Sequence, residues 1–321
     1  MKNLRTAQFM IAAAMAVAPA LVFAQAKWNM PTAYAEGNFH TQNIKQFAAE
    51  VKEATGSRVD IVVHSGASLY KMPEIKRAVQ TGQVQLGETL VSSLANEDPM
   101  FEASAVPFLA NSFTQARNIL EIARPFIEKR LTRDGLRLLY AAPWPTVGVF
   151  LKAKGDIKGQ KIRTYDRSTS KLIELLGGIP TTVQAAEVPQ AFATGIVGGM
   201  VTSSTTAHDT KAWEYVKVYY DMKASFPMNM VFVNERAFRA LGQGDQKAIL
   251  EAAGRAESRG WQRAEKLQEE MDAKIKHNGI EFIAITPAMQ SDLIKAGGVI
   301  AQEWAARAGA DGVELLKKIG R

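Results

Sequence analysis

Apolar residues recur at helical spacing over residues 39–55, where Ile44, Phe47, Ala48 and Val51 share one face and Gly56 ends the run. Before that helix, Lys27 to Tyr34 (KWNMPTAY) predicts a strand with a loop at its end. After it, Val59 to Val63 predicts a short β-branched strand. Strand, helix, strand is the order of a parallel α/β unit. The alternation continues. Met72 to Thr81 predicts a helix with Pro73 in its first turn and Gly82 at its end, followed by a strand over Val84 to Glu88. A helix over Thr114 to Arg133 stops at Gly135 and leads into a strand over Leu136 to Ala142. Pro143-Trp144-Pro145 then breaks the chain, and Val147 to Lys152 starts a new strand, a candidate crossing between two lobes.

The second half repeats this logic. Gly159 releases the chain into a short strand that carries Arg163 at its far end, with Tyr165 close behind. A helix over Ser168 to Leu176, a strand over Ile179 to Val183 and a helix over Val188 to Thr194 follow. Ile196 to Val201 returns as a strand and opens into the hydroxyl-rich run Thr202 to Thr206, read as a loop. Tyr215 to Tyr220 and Asn229 to Asn234 predict two more strands, with a return crossing between them. From Asp245 to His277 the helical pattern is unbroken by proline, and at 1.5 Å per residue it spans about 50 Å, enough to run along both lobes. Glu281 to Ile285 predicts a late strand, Pro287 to Lys295 a helix, and Val299 to Ala308 the start of the closing helices. One internal echo supports two related lobes: Ala78 to Gly87 resembles Ala191 to Met200, each a helix end, a Thr-Gly cap and a short strand, each followed by hydroxyl-bearing residues.

Length agrees with two lobes, because 321 residues exceed one ordinary core. Lys2 and Arg5 precede an apolar run from Phe9 to Phe23 broken only by Pro19, and small residues follow. This is the pattern of a secretory signal peptide over residues 1–26, cut after Ala24 or Ala26, and the run is shorter than the roughly 20 residues of a spanning helix. The chain has no cysteine, which excludes a disulfide scaffold and, with the export signal, suits a bacterial periplasm. The formal charge is +7, of which Lys2 and Arg5 contribute two, and the basic residues are scattered among acids. Nucleic-acid binding is not expected from that distribution.

Enzyme signatures are missing. His40, His64, His208 and His277 lie far apart without metal spacing, and no P-loop, GxGxxG or GxSxG motif occurs. No metal and no cofactor is expected. What remains is a set of polar and aromatic residues at predicted strand ends, where open α/β sheets bind ligands. These are Tyr34, Glu36 and Asn38 after the first strand, His64 after the second, Glu88 after the third, Trp144 after the fourth, Arg163 and Tyr165 after the fifth, and Thr202 and Ser203 after the sixth. Among them Arg163 offers a fixed cation with a planar fork of donors, suited to one carboxylate. Two other readings stay open: a periplasmic enzyme with His64 or Glu88 as base, and a sensor subunit.

The segment Gly159 to Arg163 (GQKIR), the run Gly177 to Gly199 (GGIPTTVQAAEVPQAFATGIVGG) and the loop Val106 to Leu109 resemble those of the DctP-type periplasmic solute-binding proteins of TRAP transporters. The resemblance covers essentially the whole mature chain. It implies an α/β fold of two lobes with a ligand cleft between them, crossing strands, a long helix bridging both, and closure on the ligand. It places residues 27–146 and 225–255 in one lobe and 147–224 and 256–321 in the other. It implies a monomer that captures an organic acid and delivers it to the membrane subunits of a TRAP permease. In that family the arginine matched by Arg163 holds the substrate carboxylate. Two departures stand out: Gly198 replaces the family's aspartate, and Thr202 stands where an asparagine is usual. The second arginine that some members carry is missing from Thr146 to Phe150, which favours a monocarboxylate (hydroxy, oxo or aromatic) over a dicarboxylate.

Overall fold

The structure is a computed structural model and describes residues 25–321; the expected signal segment, apart from Gln25 and Ala26, lies outside the described residues. In chain order the first half runs β1 (Ala26–Pro31), α1 (Phe39–Ala54), β2 (Val59–His64), α2 (Met72–Gln80), β3 (Leu86–Leu90), α3 (Phe113–Arg133), β4 (Leu136–Pro143) and β5 (Val147–Leu151). The second half runs β6 (Lys161–Thr164), α4 (Arg167–Leu175), β7 (Ile179–Thr182), α5 (Val188–Ala193), β8 (Gly199–Ser203), α6 (Ser204–Asp209) and β9 (Val218–Tyr220). It closes with β10 (Met228–Asn234), α7 (Glu235–Arg239), α8 (Gln243–His277), β11 (Glu281–Ile283) and α9 (Pro287–Lys318).

Two lobes result. In the first, β1 and β2 pair in parallel, and β3 and β4 flank β10 in antiparallel fashion. The second holds a mixed six-stranded sheet in the order β11-β9-β5-β8-β6-β7. Polypeptide passes between the sheets where β4 ends at Pro143 and β5 begins at Val147, and again between β9 and β10. The two passages are tied together, because Trp144 N donates to Pro227 O at 2.7 Å.

α8 is the third link. Its 35 residues extend about 52 Å at 1.5 Å rise. Ile249, Ala252, Ala253 and Ala256 join a core with Phe47 and Val51 of α1, whereas Ile275 joins the second-lobe core with Phe150 and Tyr219. α9 also touches both lobes: Trp304 Nε1 donates to Pro99 O at 2.7 Å, and Lys171 of α4 meets Glu303 at 3.6 Å.

The echo noted in the sequence is a structural one. At the end of α2, Thr81 Oγ1 donates to Arg77 O at 2.9 Å and Val84 N to Ala78 O at 3.4 Å. At the end of α5, Thr194 Oγ1 donates to Gln190 O at 2.9 Å and Val197 N to Ala191 O at 3.3 Å. Gly82 and Gly195 follow with φ of 77° and 72°, the left-handed conformation that glycine adopts without steric cost.

Several expectations shift. Glu88 lies in the middle of β3 rather than at a strand's end, and Thr202 and Ser203 are the last residues of β8 rather than loop residues. The run from Thr202 to Thr206 is not a loop: Ser203 caps α6, its side chain accepting from Thr206 N at 3.3 Å. A serine that can satisfy an orphan helix donor starts a helix where composition suggests a turn. The strand expected from Tyr215 contains only Val218–Tyr220, because Ala212–Glu214 winds into a 3-10 turn. The closing helix is continuous past Gly297-Gly298, up to a kink at Gly309. Gly297 is a contact and not a stop, since a Cβ there would sit 2.5 Å from Phe108 Cδ2.

Candidate functional site

Parallel strands β6, β7 and β8 present their carboxyl ends to a cavity of about 290 Å³ between the lobes. Local sequence explains why Arg163 arrives there. It is held in β6 opposite Thr181 of β7 and Met200 of β8. Asp166 then caps α4 by accepting from Thr169 N at 2.8 Å, so the chain turns away just after Tyr165.

The Arg163 side chain is 3% exposed and lines the cavity. Its Nε donates to Val183 O at 2.8 Å and its Nη1 to Val201 O at 3.1 Å. The Tyr165 ring centroid lies 5.1 Å from the guanidinium carbon. Two carbonyls and a ring face orient the fork without neutralising it. Burial accordingly lowers the Arg163 pKa to about 10, with Tyr165, Tyr34 and Asp166 pulling the other way. A desolvated cation held in place without a carboxylate partner is costly, and an anion entering the cavity relieves that cost.

The opposite wall is aromatic. Tyr34 and Trp144 both line the cavity, with ring centroids 5.0 Å apart. Trp144 is also a core residue, packed edge-on against Phe39 at 5.2 Å. The two rings share one acceptor: Trp144 Nε1 donates to Asn229 Oδ1 at 2.8 Å and Tyr34 OH to the same atom at 3.2 Å. Asn229 Nδ2 in turn donates to Glu88 Oε1 at 3.0 Å, and Thr32 Oγ1 donates to Glu88 Oε2 at 2.5 Å. Burial raises the Glu88 pKa to about 7 against the pull of those two donors, and burial lowers that of neighbouring His40 to about 3.

Of the ten residues singled out in the sequence, the structure brings six to the cavity: Tyr34, Trp144, Arg163, Tyr165, Thr202 and Ser203. The other four lie elsewhere. Glu88 is sealed behind the aromatic wall because it sits in the middle of β3 and not at its end. Glu36 is on the surface, paired with Lys45 and accepting from Ser65 Oγ at 2.8 Å. Asn38 caps α1 and reaches across the lobes, its Nδ2 donating to Asp209 Oδ2 at 2.7 Å. His64 Nε2 meets Asn29 Oδ1 at 2.9 Å, away from the cavity.

The cavity also contains residues that strand-end logic does not select. Lys71 stands before α2, and Gln184 to Glu187 form the turn before α5. Pro227 comes from the passage between the lobes. Asn229, behind the wall, belongs to β10, and the sequence marks it only as a strand residue. A signal for Lys71 and Glu187 exists in the sequence, since each precedes an apolar residue and a helix-opening proline. Among the described residues no group of His, Asp or Glu is arranged to hold a metal ion.

The family model for DctP, "bacterial extracellular solute-binding protein, family 7", matches residues 31–307. The fold is similar to three solved relatives. DctP7 of Bordetella pertussis, an extracytoplasmic solute receptor binding pyroglutamic acid, is 42% identical, with 92% of this chain and 99% of that one covered and a TM-score of 0.90. DctP6 of the same organism, also binding pyroglutamic acid, is 40% identical over 91% of this chain and 99% of that one, with a TM-score of 0.89. A TRAP solute-binding protein from a marine metagenome, specific for pyroglutamate, is 34% identical over 92% of this chain and 99% of that one, with a TM-score of 0.90.

Proposed function

The chain belongs to the DctP family of bacterial extracellular solute-binding proteins, and on that premise we propose that it captures a small monocarboxylate of the pyroglutamate class and delivers it to a TRAP permease. The observation that carries the ligand class is the buried guanidinium of Arg163, hydrogen-bonded to Val183 O and Val201 O and facing a cavity of about 290 Å³. That volume is at the small end for ligand sites, which suits a compact acid. A carboxylate leaving water must recover its hydration from charged or hydrogen-bonding groups. Arg163 supplies the charge, while the hydroxyls of Thr202, Ser203 and Thr206 and the amide of Gln184 offer neutral partners to an oxo, hydroxy or lactam group. Tyr34, Trp144, Met72 and Val147 provide apolar contact for a ring or short chain.

Asn38 and Asp209 join the two lobes, and ligand that prefers this arrangement shifts the open–closed balance toward it. Chemistry on the ligand is no part of this reading: neither His64 nor Glu88 reaches the cavity, and the acid should be recovered unchanged after long incubation. Calorimetric titration of the mature protein with pyroglutamate is the direct test. Arg163→Ala should weaken binding roughly a hundredfold, the scale for removing one partner of a buried charged pair, while the protein stays folded. Equal affinity in the two proteins would sink the proposal.

A further inference from the structure

Lys71 and Glu187, both lining the cavity, meet from opposite lobes at its solvent-exposed rim, with Nζ 3.4 Å from Oε1. They occupy equivalent places in the two related halves. Lys71 is the residue before Met72-Pro73 at the start of α2, and Glu187 the residue before Val188-Pro189 at the start of α5. The backbone of Lys71 is pinned, its N–H donating to Glu74 Oε2 at 2.8 Å. Lys71 is thus a second cation on the ligand cavity, and Glu187 is the group that occupies it.

We infer that Glu187 is a specificity-determining residue: by holding the Lys71 ammonium and adding its own negative charge, it keeps the cavity to ligands with a single carboxylate. The inference rests on the monocarboxylate reading above. The pair is solvent-exposed, at 68% and 51%, so its direct contribution to closure is small. Its effect on selection is separate from that, because specificity is a difference between ligands and a like charge acts only against the one that carries a second carboxylate. An acid anchored at Arg163 and extending a second carboxylate toward the other lobe meets Glu187 in addition to Lys71. It must then break an existing ion pair and meet a like charge at the cavity's rim. A monocarboxylate presents no second charge and leaves the pair intact. Removing the Glu187 charge while keeping its shape frees Lys71 to act as the second anchor.

The test is a titration of wild type, Glu187→Gln and Lys71→Gln with pyroglutamate and lactate on one side and succinate and glutarate on the other. In Glu187→Gln the affinity for succinate or glutarate relative to pyroglutamate should rise, by up to about fivefold, the scale for an exposed charge pair. In Lys71→Gln that ratio should not rise, and both classes should bind more weakly because Glu187 is left uncompensated. A Glu187→Gln protein whose dicarboxylate affinities stay at the wild-type level overturns the inference, whether or not pyroglutamate binds. So does a wild type that already binds succinate as tightly as pyroglutamate. Failure of the proposed function itself shows separately, as equal pyroglutamate affinity in wild type and Arg163→Ala.

Discussion

Asn229 Nδ2 donates to the buried Glu88 carboxylate at 3.0 Å, and this fixes Asn229 Oδ1 as the shared acceptor for Trp144 and Tyr34. An amide has one donor end and one acceptor end, so the carboxylate decides which end meets the rings. The aromatic wall of the cavity is therefore set by Glu88, which does not line the cavity.

Replacing Asn229 with leucine leaves three buried polar groups, on Glu88, Trp144 and Tyr34, without that partner. At about 1–3 kcal/mol for each orphaned group, the loss should be about 3 kcal/mol or more. Urea unfolding of the ligand-free protein measures it. A change below about 0.5 kcal/mol, the range of ordinary surface substitutions, would show that the network does not hold the wall.

Glu88 and His40 lie 3.7 Å apart and titrate in opposite senses. The Glu88 carboxyl has its pKa raised from 4.5 to about 7 in the folded protein, so its ionised form is disfavoured there and stability rises as pH falls from 7 toward 4.5. His40 is lowered from 6.5 to about 3, so the unfolded chain takes up the proton first and stability falls as pH drops below 6.5. The two trends offset each other between pH 6.5 and 4.5 in the intact protein. Glu88→Gln should lose stability on acidification more steeply than wild type, and His40→Phe should gain it. Melting temperatures at pH 7.5, 5.5 and 4.5 separate these outcomes; three parallel profiles would rule both shifts out.

Arg163→Lys keeps the charge and loses the planar fork and the two carbonyl contacts made by Nε and Nη1. Pyroglutamate affinity should fall about tenfold or more, less than in Arg163→Ala. A lysine variant that binds as well as wild type would mean that charge alone, without geometry, holds the acid.

Gly148 pairs with Thr202 across β5 and β8, behind the cavity. A Cβ at Gly148 would lie 2.3 Å from Tyr220 O and 2.5 Å from Tyr219 Cε2. Backbone cannot yield cheaply at that distance, so Gly148→Ala should destabilise the protein by about 1–3 kcal/mol, as overpacked cores do. Thermal unfolding of the variant beside wild type checks this, and an unchanged midpoint would contradict it.

Ala26 is the first residue of β1, and its N–H donates to Arg58 O at 2.7 Å. Processing after Ala24 preserves that strand end, whereas processing after Ala26 removes it. Intact mass of exported protein should place the mature start at Gln25; a start at Lys27 would show that the Ala26 pairing is dispensable.

Periodicity located α1 and α8, and the glycine turn at Gly159 the strand that carries Arg163, because helix spacing and turn chemistry are local properties of the chain. The motif from Gly159 to Tyr165 pointed to a strand-end anchor for an anion, and the Thr-Gly echo to two related halves. Tertiary structure decided what the strand-end residues do. Glu88 and His64 read alike in the sequence, yet β3 pairing carries Glu88 into a sealed network with Asn229, and His64 turns to Asn29. Glu36 and Asn38 follow the same strand as Tyr34 but point to the surface and to the other lobe. Lys71 and Glu187 stand 116 residues apart and form a pair only because the two halves fold face to face. Local sequence sets which residues can sit at a strand end. Burial, partners and the approach of the other lobe depend on contacts between distant segments, and those set which residues meet a ligand.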